Sequence, residues 1–446
     1  MINGPIIPKL AAFCFPLMMS GMLQLLFNAV DLVVVGRFTG SDALAAVGAT
    51  TSLIHMIVNL FVGISVGANV QAARYIARGE NDKLSTVVHT SIGASVIAGL
   101  FVMAAGIAIT PFALKAMGTP ADIIGMSSTY MRIYFLGMPF FMVYNFGAAI
   151  LRAAGDTKRP LSYLTISGLL NAALNMVLVI VFRLGVVGVA AATVFSQLVS
   201  CVLIVLALIR SDSHYRLCLS ELRIDTRMLL TISRIGIPAG LQSTVISFSN
   251  ALLQSSVNSL GASAMAGFTA ANNVMAFFFV CVNAISQTCM TFTSQNYGAG
   301  KPDRMKSILR SCLLLEFAVA FSIGALGTAF SRQLLGIYCN SEEVLAYGIA
   351  IAPECFLTYF ICSFMDCLAF RLRGLGRSTV PMLLSVLGTV GTRVIWVMFF
   401  FPLRRDIQFL MLCYPISWSI TVLMQSIALY FVGKNVYLQL SVKNAH

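Results

Sequence analysis

Long uncharged apolar runs, separated by short polar and basic segments, dominate the chain. Residues 10–30, 43–73, 84–114, 133–151, 160–182 and 184–209 contain no Asp, Glu, Lys or Arg. Residues 235–300 form a further uncharged run, too long for one helix and broken by Ser-Leu-Gly-Ala near Gly261, so it reads as two. Apolar stretches at about 307–330, 343–371, 378–401 and 407–433 bring the count to twelve. A spanning helix takes about 20 residues, whereas the strands of a membrane barrel run about 10 and alternate in polarity. These runs are longer and do not alternate, so the expected fold is an all-α membrane protein of twelve transmembrane helices. The first run lacks a basic leader and a small-residue cleavage site, and is expected to be a retained span.

Composition agrees with the pattern. The chain is 58% hydrophobic and only 10% charged, against about 25% charged in an average soluble protein. Its mean hydropathy is +0.88. A water-soluble enzyme is excluded, because there is too little polar surface to cover one. The formal net charge of +13 needs no nucleic acid once orientation is considered. With the amino terminus inside, 21 of the 29 Lys and Arg fall in inner segments and 6 in outer loops, with Arg132 and Arg393 inside spans. Both termini are therefore expected in the cytoplasm. The 11 Cys lie mostly in apolar runs without CxxC or Cys/His metal spacing. Neither a disulfide framework nor a zinc site is expected, and His55 and His89 read as isolated. No HExxH or GxSxG motif is present, so no enzyme and no cofactor are expected.

Three segments repeat at one constant offset, that from Gly40 to Gly261. Gly40-Ser-Asp-Ala-Leu-Ala pairs with Gly261-Ala-Ser-Ala-Met-Ala, and Gly79-Glu-Asn-Asp-Lys-Leu with Gly300-Lys-Pro-Asp-Arg-Met. Leu151-Arg-Ala-Ala-Gly-Asp-Thr-Lys-Arg-Pro pairs with Leu372-Arg-Gly-Leu-Gly-Arg-Ser-Thr-Val-Pro. Six spans per half is an even number, so the halves form a parallel repeat about an axis along the membrane normal. The expected organisation is an N-terminal six-helix lobe at 1–210, a cytoplasmic linker at 211–234 and a C-terminal six-helix lobe at 235–446. Two such lobes would enclose a central cavity and support alternating access.

Polar groups inside the spans are expensive and mark function. The intramembrane acids are Asp31, Glu316, Glu354 and Asp366. On the first span Ser20, Gln24, Asn28 and Asp31 fall within an arc of roughly 80°. Ser167, Asn171 and Asn175 follow at i+4 steps on the fifth span, and Thr193, Gln197 and Ser200 lie along the sixth. A carboxylate, amides and a hydroxyl could form an oxygen cage for Na⁺, or a hydrogen-bond network around a proton-binding Asp31. Gln24, Asn28, Gln197, Glu354 and Asp366 are candidates for a substrate cavity. Glu354 and Asp366 share one helix, and helical periodicity sets them about 120° apart around it. Glu316 is expected to reach toward Arg310 and the inner surface, and Arg393 and Arg132 to neutralise nearby carboxylates. Pro16 is a candidate hinge in the first helix. The 22 Met and 31 Phe suit a promiscuous cavity that repacks around varied ligands and presents π faces to cations.

Several of these residues resemble one family. Pro16 precedes Asp31 on the first span, and Val35-Gly36-Arg37 and Ala43-Leu-Ala-Ala-Val47 follow. Gly63 and Gly67 precede Gln71-Ala-Ala-Arg-Tyr, and the inner loop reads Ile150-Leu-Arg-Ala-Ala-Gly-Asp-Thr-Lys-Arg-Pro160. Gly236-Ile-Pro-Ala-Gly240 and Gln295-Asn-Tyr-Gly-Ala-Gly300 mark the second half. Together they resemble the multidrug and toxic compound extrusion (MATE) family of cation-coupled exporters, over nearly the whole chain. The resemblance is nearer to the DinF-like and archaeal kind than to the NorM-like kind. It implies twelve helices in two lobes and antiport of organic compounds against H⁺ or Na⁺. It also implies a coupling site at Asp31, Asn171, Asn175 and Thr193, with Asp31 as the metal ligand if the ion is Na⁺. The second fifth-span position is commonly Asp in that kind and is Asn175 here, which removes one charge and favours H⁺. A lipid-linked oligosaccharide or lipid flippase of the wider superfamily is the rival reading. Such proteins usually carry more helices and a basic cavity. A monomer is expected.

Overall fold

The structure, a computed structural model, describes residues 1–339 and 341–444, with the side chains at 52, 55, 437 and 440–444 outside the description. His55, and Lys443 among the basic residues counted as inner, fall on those side chains. Among the described residues ten helices are long and apolar enough to cross a membrane, or twelve with each of two bent pairs taken as one span. Such segments become helices because hydrocarbon offers the backbone no partner, so every peptide group must be satisfied within the segment.

The first half comprises α1 (Ile6–Phe38), α2 (Ser41–Arg78), α3 (Asn81–Ala116), α4 (Ala121–Leu136 with Met138–Ala153), α5 (Lys158–Val181) and α6 (Gly185–Ile209). The second comprises α7 (Thr226–Asn258), α8 (Ala262–Gly298), α9 (Pro302–Ala329), α10 (Glu342–Leu357 with Tyr359–Gly374), α11 (Thr379–Leu403) and α12 (Ile407–Val436). The expected break near Gly261 falls between α7 and α8. Helix α7 starts at Thr226, however, inside the segment read as linker, so only the part before it lies outside the spans.

The backbone repeats in the register read from the sequence. Ser41 and Ala262, Asn81 and Pro302, Ala121 and Glu342, and Lys158 and Thr379 open paired helices, each pair separated by the offset of the sequence repeat. Helix α4 bends by 45° at Gly137, and α10 by 43° at Thr358, again one offset away. Two turns in each half end in the same cap. Glu80 N donates to Tyr75 O (3.1 Å) and Lys301 N to Asn296 O (3.0 Å); Asp156 N donates to Leu151 O (2.9 Å) and Arg377 N to Leu372 O (3.0 Å). Each of these caps turns on a left-handed residue, at Gly79, Gly300, Gly155 and Gly376, a conformation that only glycine adopts without strain.

The chain divides into two compact units, residues 19–236 and residues 1–18 with 237–446. This departs from the expected boundaries at 210 and 235. Apolar contact is the reason. Leu10, Phe13, Cys14 and Leu17 of α1 pack against Ile285, Cys289 and Phe292 of α8 and Ile308 of α9. Reciprocally, the first turns of α7 stay with the first unit, where Met228 and Ile232 join Ala68, Ala72 and Ile204. That crossing is close, since a Cβ on Gly67 would lie 2.1 Å from Ile232 O and one on Gly236 2.4 Å from Ile64 O. Large apolar side chains such as Phe101, Phe112 and Leu403 remain more than two-thirds exposed, as expected of surface facing lipid.

Candidate functional site

Asp31 lies near the end of α1, and α1 meets α5 through a contact that sets its height. A Cβ on Gly168 would lie 1.9 Å from Phe27 Cε2, so only glycine lets the Phe27 ring lie against α5. One turn beyond Phe27 is Asp31, and one and two turns beyond Gly168 are Asn171 and Asn175. The same close approach therefore aligns the carboxylate with both amides. Helix α5 continues past Asn175 as a π-helical stretch, Met176–Val181. Gly188 of α6 packs beside Leu178, where a Cβ would sit 3.2 Å from its carbonyl carbon.

The four side chains expected to share a site form one connected network within the first unit. Asn175 Nδ2 donates to Asp31 Oδ1 and also to Asn171 Oδ1 (3.2 Å). Asn171 Nδ2 donates to Thr193 Oγ1 (3.4 Å), which donates to Val189 O (3.0 Å). Asn175 is fully buried and Asn171 is 6% exposed, while Asp31 is half-buried. The Asn175 Oδ1 atom is buried without a hydrogen-bond partner. The ion pairs among the described residues do not include Asp31. Its charge is thus met by an amide rather than neutralised by a base, and it stays available to a proton or a metal cation. Sequence periodicity finds the polar members of this network. Phe27 and Gly168, which set its geometry, give no periodic signal.

The remaining candidates do not join it. Gln24 and Asn28 are exposed. Gln197 packs against the bend of α4, its Oε1 2.0 Å from where a Gly137 Cβ would be. Ser167 bonds its own helix at Leu164 O (3.1 Å). Glu354 lies in a π-helical stretch, Pro353–Leu357, just before the bend of α10, and Asp366 is half-buried on the other arm of that helix.

Three expectations need correction. Glu316 does not reach Arg310. It is fully buried and accepts from Ser286 Oγ at 2.7 Å, because helical periodicity puts the side chains at 310 and 316 about 120° apart. Arg393 neutralises no carboxylate. It is 2% exposed, donates to Asn250 Oδ1 (2.8 Å), Ser249 Oγ (3.5 Å) and Ser417 Oγ (3.4 Å), and lies 4.4 Å from the Tyr414 ring centroid. Arg132 is exposed. Nor is His89 isolated. Its Nδ1 bonds Ser85 O (2.8 Å), its Nε2 takes the Cys218 N–H (3.1 Å), and ligand atoms of His89, Cys218 and Glu221 lie within 4.8 Å of one another.

Comparison with known proteins adds a family. The MatE profile matches residues 16–177 and again 238–398, once in each half. The chain belongs to the MatE family. It is therefore a multi-pass membrane transporter, and the twofold match restates the internal repeat. Among its MatE relatives, the "Probable multidrug resistance protein YoeA" of Bacillus subtilis is 27% identical over 394 residues, covering 86% of this chain and 85% of that protein. An "FAD transporter" of Shewanella oneidensis is 27% identical over 365 residues, covering 79% of each. The solved outward-facing structure of a multidrug resistance MATE transporter of the MOP superfamily superposes with a TM-score of 0.89 at 20% identity, covering 99% of this chain and 98% of that one. That likeness supports the two-lobed, twelve-helix fold.

Proposed function

We propose that this MatE protein is a cation-coupled antiporter of the bacterial plasma membrane that exports amphipathic, cationic organic compounds by alternating access, with both termini in the cytoplasm. The observation that carries the reading is the Asp31–Asn175–Asn171–Thr193 network, with its acid not tied to any base. The names of relatives such as YoeA support drug extrusion, and the 21-to-6 distribution of basic residues supports the orientation.

The coupling ion is H⁺. An ionised Asp31 accepts from the Asn175 amide. A protonated Asp31 has a hydrogen to donate, and the unpartnered Asn175 Oδ1 is an acceptor within one amide rotation of it. Both protonation states can therefore be satisfied by one side chain. Na⁺ would need the amides turned to present oxygen to it, whereas the Asn175 Nδ2 group is aimed at Asp31 and opposes a metal cation there. Uptake of the proton removes the charge from the first unit. Pro16 lies inside α1, just before the point after Met18 where that helix passes from one compact unit to the other. Proline has no backbone N–H to give to the helix ladder, which lets α1 bend there. The state of Asp31 is thereby coupled to the shape of the helix that carries it.

Dye efflux from vesicles under imposed gradients tests this. A pH gradient drives ethidium transport in the wild type, a Na⁺ gradient does not, and Asp31→Asn is inactive while inserting normally. Transport by Asp31→Asn at the wild-type rate sinks the proposal. Transport of FAD in place of the dye, with the same dependence on Asp31, moves the cargo to the class named for the Shewanella relative and leaves the coupling site standing.

A further inference from the structure

The second unit holds a cavity unrelated to the Asp31 network. It has a volume of about 440 Å³ and lies among α9, α10 and α12, within the size range of small-ligand sites. Its walls are apolar, including Leu309, Leu313, Phe317, Phe364 and Leu429, but Lys306, Arg310 and Arg371 also line it. The two kinds of residue are sorted along α9. Lys306 and Arg310, one turn apart, lie near its start, and Leu313, Leu314 and Phe317 follow on the next turns. Leu314 is 64% exposed and Phe317 42% exposed, so the apolar end opens onto the surface that faces lipid. Arg371, 3% exposed, is held by its bond to Thr293 Oγ1 (2.6 Å). Arg310 is exposed and enters no hydrogen bond or ion pair among the described residues. The nearby acid is Asp303, 3.4 Å from Lys306 and facing solvent, which leaves a net positive rim.

The internal repeat shows what occupies the matching place in the first unit. One offset back, Lys306 corresponds to Ser85, Arg310 to His89 and Leu314 to Gly93. There the chain covers its own surface. Cys218 N bonds His89 Nε2 (3.1 Å), Asp225 N bonds Thr90 Oγ1 (3.1 Å), and Ile224 Cγ1 lies 3.1 Å from the Cβ position of Gly93. In the second unit Lys306 and Arg310 stand where the first has Ser85 and His89. A slot with a basic rim and an apolar floor open to the hydrocarbon complements a phosphate attached to acyl chains.

We propose that this slot binds one anionic phospholipid, its phosphate between Lys306, Arg310 and Arg371 and an acyl chain along Leu313, Leu314 and Phe317, in the leaflet on the side of the basic loops. Native mass spectrometry of delipidated full-length protein, given phosphatidylglycerol and phosphatidylcholine of identical chains at equal concentration, tests it. One phosphatidylglycerol is retained about tenfold over phosphatidylcholine. Arg310→Glu removes that preference, since each basic group near a membrane surface contributes roughly fivefold and reversal counts twice, whereas Arg310→Lys keeps it. The exposure of Arg310 leaves the thermal midpoint of both variants unchanged. Equal retention of the two lipids by the wild type, an unaltered preference in Arg310→Glu, or displacement of the lipid by millimolar inorganic phosphate overturns the proposal.

Discussion

The two halves share a backbone and differ in the charge they place at equivalent positions. In the first half Asp31, Asn171, Asn175 and Thr193 meet, and no base among the described residues pairs with the acid. One offset later those positions read Leu252, Thr392, Trp396 and Tyr414. The second half has its own cation instead. Arg393, beside the counterpart of Asn171, sits within hydrogen-bond distance of Ser249, Asn250 and Ser417 and over Tyr414. Ser249 and Tyr414 are themselves the counterparts of Asn28 and Thr193. One half thus holds a carboxylate among amides at this place, and the other holds a buried guanidinium among an amide, hydroxyls and an aromatic ring. Duplication supplies two scaffolds, and under the proposed function only the first of them exchanges an ion.

The largest effect is expected where the first half loses its acid. Asp31→Asn brings dye efflux to the background of empty vesicles with normal protein abundance. Close behind is Gly168→Leu, which drives Phe27 off α5 and separates Asp31 from both amides. Efflux falls by at least about tenfold, and the added change Phe27→Ala recovers part of it; no loss in Gly168→Leu breaks the geometric half of the comparison. Asn175→Asp restores a second carboxylate beside Asp31. Two close carboxylates disfavour joint ionisation unless a cation bridges them, so Na⁺ should begin to stimulate efflux that it leaves unchanged in the wild type. Arg393→Met deprives Asn250, Ser249 and Ser417 of a shared donor. A lower thermal midpoint, equivalent to about 2 kcal/mol, should appear with the H⁺ dependence of transport intact, and a change of coupling ion would contradict the assignment of one exchanging half. The smallest effect belongs to Glu316→Gln, which keeps the acceptor for Ser286 and should shift stability by less than about 1 kcal/mol without altering efflux.

Much of this was legible in advance, for reasons that differ by residue. Helical spans follow from uncharged runs because the bilayer leaves the backbone no alternative. The pair Asn171 and Asn175 is visible because residues four apart share a helix face. Its union with Asp31 and Thr193 came from resemblance to a family, and the structure shows the contact. An acid near a base in sequence invites pairing, but the helix turns Glu316 away from Arg310. Only packing shows that amides, hydroxyls and an aromatic face satisfy the buried Arg393 guanidinium. Phe27 and Gly168 carry no polar signal at all.

By itself the amino-acid sequence determined that the chain spans a membrane as helices, that its two halves repeat at the offset from Gly40 to Gly261, and which turns close those helices. These are local properties, set by hydropathy over about 20 residues and by glycine at left-handed positions. Only the tertiary structure decided which acid meets amides, which cation is buried, that the first turns of α1 pack with the second half and those of α7 with the first, and which basic and apolar side chains line one slot. Each of those depends on the rotation of a helix about its own axis and on the neighbour it faces, and both are settled by contacts between residues far apart in the chain.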